Sequence, residues 1–173
     1  NCNITYTYDQ LGRTTGFNRP VSGGNGSIAY AYDMHGWIKD ITSNTFSEHL
    51  HYADGTGMPL YSGNISSLTW AYGTEPDRGY RFSYDGMSRL VNAEYGENGF
   101  STALGNYNER AGYDGYGNIT SLVRNGLMKH GNYGAIDSLA IDYEGTQMLS
   151  VTEEAAPVLY EKSMDVKGSS DEI

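Results

Sequence analysis

The chain has 173 residues, enough for one domain with a core, and carries a formal net charge of −10. Its 11 Lys and Arg residues are scattered, so we expect no nucleic-acid partner, because phosphate backbones require clustered positive charge. No apolar run is long enough to cross a bilayer, so no membrane insertion is expected. The 16 Tyr and 23 Gly residues favour a β-rich protein with many tight turns.

The first predicted hairpin lies in "ITYTYDQLGRTTGF", which begins at Ile4. Ile4, Tyr6 and Tyr8 alternate with polar residues and therefore share one face of a predicted strand. Asp9 can accept backbone hydrogen bonds at the start of a turn, and Gly12 supplies the positive φ of a bulged hairpin loop. Alternation resumes after the turn, so the segment is predicted to be a β-hairpin.

The same pattern returns in "IAYAYDMHGWIKDI", "YRFSYDGMSRLVNA" and "RAGYDGYGNITSLV". Random order in this composition would give about one Tyr-Asp pair, so recurrence with a shared downstream pattern indicates a structural repeat. Ser88 stands where the third turn should have Gly, so that turn either differs or is held by its neighbours at a cost of about 1 kcal/mol. The predicted repeat-motif residues are Tyr8, Asp9, Gly12, Tyr32, Asp33, Gly36, Tyr84, Asp85, Tyr113, Asp114 and Gly117.

Weaker copies of the unit begin at Leu50, Tyr61 and Ile141. Together the copies predict an all-β fold, an antiparallel meander of hairpins forming a twisted, curved sheet in which each unit packs on its neighbours. We assign this sheet domain to residues 1–152 and a tail or spacer with little regular structure to residues 153–173. The first and last strands would favour edge-to-edge self-association unless the tail covers one of them.

The units resemble the YD repeats of the Rhs family, most closely in "YTYDQLGR" and "RGYRFSYDGMSRL". The resemblance implies a β-sheet wound into a hollow shell, as in bacterial polymorphic toxins, insecticidal toxin complexes and teneurins. It also implies an extracellular or cell-surface protein that encloses or displays a separate domain, with further YD repeats of the parent chain as partners. The family's cleavage motif is not visible, and 173 residues cannot close a shell, so a partial one is expected.

Catalysis is not expected. Glycoside hydrolysis would need two carboxylates at a set separation with different environments, whereas the Asp residues of the motif recur at equivalent turn positions. The chain has no nucleophile elbow or phosphate loop, and Cys2, its one cysteine, has no role that the sequence assigns. We therefore predict a non-enzymatic structural module without a cofactor.

A metal site is conceivable at His49 and His51, which would share one strand face near Asp54. Two His residues without an evident third or fourth ligand more often belong to a solvated strand face, so no metal is expected. The alternative function is carbohydrate binding, because exposed aromatic rings beside polar residues can stack on sugar faces. The candidates for this are Trp37, Trp70, Tyr61 and Tyr116.

Overall fold

The computed structural model describes residues 3–21, 24–129 and 131–156; Cys2 and most of the predicted tail, residues 157–173, lie outside the described residues. The described part of the chain forms strands and turns and contains no helix, so it offers no helix that could span a membrane. The strands are β1 (Thr5–Tyr8), β2 (Thr14–Val21), β3 (Gly24–Tyr32), β4 (Ile38–Ser43), β5 (Phe46–His51), β6 (Ser67–Tyr72), β7 (Arg78–Tyr84), β8 (Leu90–Glu97), β9 (Glu109–Tyr113), β10 (Ile119–Lys129), β11 (Asn132–Glu144) and β12 (Gln147–Glu153).

The twelve strands form one sheet in which spatial order follows chain order from β1 to β12. Consecutive strands run antiparallel, as expected when short turns join them. The sheet is not closed, so β1 and β12 are its edge strands. This arrangement confirms the predicted all-β antiparallel meander.

Contacts between residues divide the chain into two compact units. The first unit comprises Asn1–Gly79 with Glu97–Gly99, and the second comprises Tyr80–Gly96 with Phe100–Ile173. The assignment of one domain to residues 1–152 stays a prediction.

In the first unit, strand register places aromatic and aliphatic side chains together on one face of the sheet. Tyr6 lies opposite Phe17, and Phe17 lies opposite Ile28, so the three share that face. The other face carries small and polar side chains such as Thr7 beside Gly16. A Cβ atom at Gly16 would lie 2.7 Å from the Ile28 carbonyl oxygen, so the close approach of β2 and β3 requires Gly at this position.

The second unit has a small buried core that includes a loop segment as well as strands. Arg81 lies over the Phe100 ring at 4.1 Å from its centroid. The Asn108 side-chain oxygen accepts the Tyr95 N–H, and the Asn108 carbonyl accepts the Asn125 N–H, both at 2.8 Å. These contacts hold residues 100–108 against β8 and β10. The buried apolar residues are Ala93, Tyr95, Phe100 and Ile136.

Four Tyr rings form a continuous series through the second unit. Tyr80, Tyr95, Tyr107 and Tyr133 meet in steeply inclined pairs with centroids 5.0–5.4 Å apart. The Tyr80 hydroxyl donates to the Tyr107 carbonyl at 3.1 Å. Burial, with a smaller contribution from the Glu109 carboxylate, raises the pKa of Tyr80 to about 12. These four tyrosine rings therefore pack against one another within this unit.

A buried ion pair crosses β10 and β11. Arg124 lies opposite Asp137 in the register, and its guanidinium contacts the carboxylate at 2.5 Å. Asp137 is fully buried, whereas the Arg124 side chain reaches partly to solvent. A buried carboxylate is costly to desolvate, so the Arg124 guanidinium offsets a charge that would otherwise be buried without compensation.

Candidate functional site

The four Tyr-Asp turns share one hydrogen-bond pattern. In each turn, the Asp Oδ1 atom accepts the N–H groups of the residues two and four places later, at 2.8–2.9 Å. The Asp N–H donates to the carbonyl of the residue four places later, and the residue three places later donates back to the Asp carbonyl. The carboxylate thus satisfies two N–H groups and closes each turn within five residues. The turns begin at Asp9, Asp33, Asp85 and Asp114.

In two turns the second carboxylate oxygen binds an arginine. Arg13 donates from Nε to Asp9 Oδ2 at 2.6 Å, and Arg89 makes the same contact with Asp85. The pKa of each carboxyl is lowered, first by the backbone N–H of its arginine and then by the guanidinium, against the opposing effect of burial. Both aspartates therefore remain ionised, which suits an acceptor and does not suit a general acid.

In the other two turns a histidine and an asparagine take the place of arginine. His35 Nδ1 lies 3.0 Å from Asp33 Oδ2, and Asn118 Nδ2 donates to Asp114 Oδ2 at 2.8 Å. Burial alone would raise the pKa of both carboxyls, but the hydrogen bonds outweigh it and the pKa of each is lowered. The four aspartates each begin a separate turn of the meander.

Ser88 occupies the turn position that holds Gly in the other units. Its φ is 61°, in the same left-handed region as Gly12 at 79°, Gly36 at 87° and Gly117 at 92°. Its N–H donates to the Asp85 carbonyl at 3.0 Å, as in the Gly turns. The third turn therefore has the geometry of the others, and Ser88 adopts a left-handed φ that is unfavourable for a residue other than Gly.

Three junctions between hairpins contain a tyrosine whose hydroxyl donates to a carbonyl of the preceding hairpin. The acceptor is always the carbonyl of the residue five places after the preceding turn's first residue. Because the donor and acceptor lie 14 to 23 residues apart, the bond joins separate hairpins. The three bonds are Tyr32 to Thr14 at 2.8 Å, Tyr52 to Ile38 at 2.9 Å and Tyr113 to Leu90 at 2.8 Å.

The same tyrosine rings are covered by the residue four places after the preceding turn's Asp. The Arg13 guanidinium lies 4.5 Å from the Tyr32 centroid, and that of Arg89 lies 4.6 Å from the Tyr113 centroid. At the intervening junction the covering residue is Trp37, whose ring lies 4.8 Å from Tyr52. We call the hydroxyl bond and this ring contact together a Tyr junction.

Strand register explains why the Tyr junction repeats. Gly16 lies opposite Ala29 in an antiparallel pair. Extending this register by three residues places Arg13, before Gly16, opposite Tyr32, after Ala29. The same extension by three residues from the pairs Asp40–His49, Asn92–Arg110 and Ser121–Ala140 places Trp37 opposite Tyr52, Arg89 opposite Tyr113 and Asn118 opposite Tyr143. At the last of these, Asn118 Nδ2 donates to the Gly145 carbonyl at 2.8 Å. One register rule therefore governs four junctions.

Sequence patterns indicated the Tyr-Asp pairs and the weak copy that contains Tyr52, but they did not assign Arg13 and Arg89 to the junctions. An Arg four residues after Asp in two of the four units was a signal that could have identified the covering residue. Tyr52 belongs to the weak copy that begins at Leu50, in which the Asp is displaced to Asp54.

The four residues considered for carbohydrate binding lie in three different settings. Trp37 and Tyr61 line one cleft of about 170 Å³, together with Lys39 and Asp54. Trp37 already contacts two rings there, a near-parallel His35 at 4.5 Å and Tyr52 at 4.8 Å.

The other two carbohydrate candidates lie outside that cleft. Trp70 is half-buried on β6, opposite Glu48, and Tyr116 is 82% exposed at a turn tip. The structure therefore brings together two of the four candidates.

The histidines near β5 are each paired with an aspartate. His49 Nδ1 lies 2.5 Å from Asp40, and His51 Nδ1 lies 3.5 Å from Asp54. Asp54 also binds Lys39 Nζ at 3.0 Å, and this hydrogen bond chiefly lowers the pKa of Asp54. Among the described residues, no group of three His, Cys, Asp or Glu side chains could hold a metal ion.

No protein-family model and no curated protein matches this sequence. Among solved structures, the crystal structure of TcdB2-TccC3 is similar over 84% of this chain, with 11% sequence identity and a TM-score of 0.43. The match covers 9% of that chain, so the present sequence spans a small fraction of its length. A likeness at this level does not assign a family or a function.

Proposed function

We propose that the chain is a non-enzymatic structural module, one section of a larger β-shell of the Rhs/YD-repeat type. Such a shell would enclose or display another domain in a secreted or cell-surface protein, and its partners would be further YD repeats. The observation that supports this function is the Tyr junction, repeated in one register between successive hairpins. Its tyrosine rings and hydroxyls and the Arg or Trp side chains that cover them join successive hairpins.

The turn geometry supports a structural role for the aspartates. Each carboxylate already accepts two backbone N–H groups and a side-chain contact, so its acceptor capacity is directed into its own turn. An acid or base in catalysis would need a free oxygen facing a substrate site.

Hydrogen exchange on the intact protein tests the structural role. Tyr32→Phe removes the hydroxyl bond to Thr14 while keeping the ring beside Arg13. In a repeat array, the loss of protection should be greatest in the hairpins on either side of this junction, β1–β2 and β3–β4, and should decrease with distance. Tyr61→Phe, which changes an exposed ring, is the matched control. A catalytic activity that disappeared in Asp33→Asn while the fold stayed intact would overturn the proposal.

A second candidate function, carbohydrate binding, is favoured by the cleft that contains Tyr61. Tyr61 is 82% exposed there, beside the paired Lys39 and Asp54, so a sugar could stack on its ring while its hydroxyls meet the charged pair. Titration of the protein with neutral and acidic polysaccharides tests this function. Binding lost in Tyr61→Ala but kept in Tyr116→Ala, which is equally exposed but lies outside the cleft, would support it. No binding by the unaltered protein would exclude it.

A further inference from the structure

The two edge strands of the sheet expose their backbones and most of their side chains. All four residues of β1 are exposed, and so are six of the seven residues of β12. Their outer N–H and C=O groups have no neighbouring strand within the described part of the sheet. Such edges pair with other strands unless charge, proline or a bulge prevents it.

The internal junctions specify how a further hairpin would add to β12. In the repeats, Tyr8 lies opposite Thr14 and Tyr32 lies opposite Ile38, and in the last hairpin Tyr143 lies opposite Met148 in the same way. Gln147, immediately before Met148, therefore occupies the position of Arg13 and Trp37. By the register rule, the Tyr of an added hairpin would lie opposite Gln147.

We propose that β12 of one chain pairs antiparallel with β1 of a second copy, with Tyr8 opposite Gln147. This inference rests on the proposed function, because it uses the junction geometry that joins repeats within the chain. Tyr8 is 61% exposed, and no described residue accepts a hydrogen bond from its hydroxyl. The Tyr8 hydroxyl of the second copy would donate to the Met148 carbonyl of the first chain, as the Tyr32 hydroxyl does to the Thr14 carbonyl within one chain.

Side-chain matching gives independent support for this register. Counting from Tyr8 and Gln147, Tyr6 lies opposite Leu149 and Ile4 lies opposite Val151. All four are exposed apolar residues, and none of them was used to set the register.

Other registers match less well. A shift by one residue would place Tyr6 opposite Ser150 or Met148. Ile4 and Tyr6 would then lie on the opposite face of the sheet from Leu149 and Val151. A shift by two residues would leave Ile4 opposite Glu153 or Tyr6 opposite Gln147. The register derived from the internal junctions is therefore the one that pairs Tyr6 with Leu149 and Ile4 with Val151.

Few of the features that usually prevent pairing are present at these edges. The register of β12 shifts at Leu149, but β2 and β4 have the same shift at Thr15 and Lys39 and still pair with the next strand. β1 has no charged residue and no Pro, and Glu153 is the single charge on β12. The Glu153 carboxylate is turned to its own chain, where Oε1 accepts the N–H groups of Ser138 and Ala155 at 2.8 and 2.7 Å. No like charges would meet across the interface.

The interface joins two different surfaces, so it is heterologous, and a pair of chains keeps one free β1 and one free β12. Sedimentation of the full chain, with a reductant present because of Cys2, should therefore show concentration-dependent assembly beyond a dimer. Tyr6→Lys and Leu149→Lys should each raise the dissociation constant at least tenfold. Their equimolar mixture should form a 1:1 dimer, because one intact β1 and one intact β12 remain.

The control is Met34→Lys, which places a charge at a turn tip that is 94% exposed and lies on neither edge. This variant should assemble like the unaltered protein. Hydrogen exchange on the unaltered chain gives a readout that needs no substitution: amides of β1 and β12 should gain protection as the concentration rises.

Other outcomes would overturn the proposal in different ways. Assembly by Leu149→Lys alone would indicate pairing of β1 with β1, and assembly by Tyr6→Lys alone would indicate pairing of β12 with β12. An unaltered chain that stayed monomeric at several hundred micromolar would mean that the edges do not take a second copy. That result would leave the proposed structural function standing, because the latter is tested at junctions inside the chain.

Discussion

The Tyr113 hydroxyl donates to the Leu90 carbonyl, 23 residues earlier in the chain, at 2.8 Å. The same ring lies under the Arg89 guanidinium, 4.6 Å from its centroid. Arg89 in turn donates to its own turn carboxylate, Asp85, and to the Asp114 carbonyl. One tyrosine and one arginine therefore connect two successive turns of the second unit through four contacts.

Removing this hydroxyl should weaken the junction without disturbing its packing. Tyr113→Phe leaves the half-buried Leu90 carbonyl without its donor, so we expect the free energy of unfolding to fall by about 0.5–1.5 kcal/mol in urea titration. Tyr116→Phe, three residues later at an exposed turn tip, should change it by less than about 0.5 kcal/mol. Equal effects of the two substitutions would contradict a specific role for the bond.

Replacing Ser88 by Gly should stabilise the protein. Ser88 holds a φ of 61°, which a side chain disfavours and Gly accepts, so relief of strain should add about 0.5–1 kcal/mol to the free energy of unfolding. The reciprocal change, Gly12→Ser, should destabilise by a similar amount, because a Cβ there meets no atom within 4 Å and backbone strain is the main effect. Thermal unfolding of the two variants should therefore shift in opposite directions.

The turn carboxylates should make stability decrease in acid. The pKa of Asp9 and of Asp85 is held below the ordinary value of 3.8, so each is lower in the folded than in the unfolded chain. The stabilisation is then present above the unfolded pKa and is lost as the pH falls through the folded pKa. Unfolding measured between pH 5 and pH 2 should show this loss below about pH 4.

Asp85→Asn should flatten the acid dependence, because the amide keeps an oxygen for the backbone N–H groups but has no proton to gain. Glu154→Gln, which removes an exposed carboxylate outside the turns, is the matched control. An unchanged slope in Asp85→Asn would show that the turn hydrogen bonds do not perturb the carboxylate.

Stability should also decrease in strong alkali, through Tyr80. Its pKa of about 12 in the folded chain lies above the ordinary value of 10, because burial disfavours the phenolate. The stabilisation is complete below pH 10 and is lost as the pH rises towards 12, since the unfolded chain ionises first. Tyr80→Phe should be less stable at neutral pH, where it lacks the bond to Tyr107, but less sensitive to pH between 10 and 12. Parallel pH curves for the two proteins would refute this explanation.

The Arg124–Asp137 pair should be sensitive to removal of one partner. Arg124→Met leaves a fully buried carboxylate without its counter-charge, so we expect a loss of about 3–5 kcal/mol in the free energy of unfolding. The double variant Arg124→Met with Asp137→Leu should recover most of that loss, because no charge is then buried. A double variant as unstable as the single one would indicate that the strands require the ion pair itself.

Local sequence was sufficient to predict the four hairpins that contain a Tyr-Asp turn. Apolar alternation before Asp9 and Asp33, followed by Gly three residues after each, specifies strand, turn and strand from neighbours along the chain. Ser88 broke the local pattern, and sequence alone left two possibilities open for its turn. The structure decided between them, because the Asp85 carboxylate makes the same bonds as its counterparts and holds Ser88 at positive φ.

The fold class and the position of each Tyr-Asp turn follow from the amino-acid sequence alone, because these depend on contacts within about five residues. The tertiary structure decided which side chains meet across hairpins: the ring of Tyr52 with Trp37, and the carboxylate of Asp137 with Arg124. Those contacts depend on strand register, which is the summed outcome of many weak cross-strand preferences and cannot be read from any one segment.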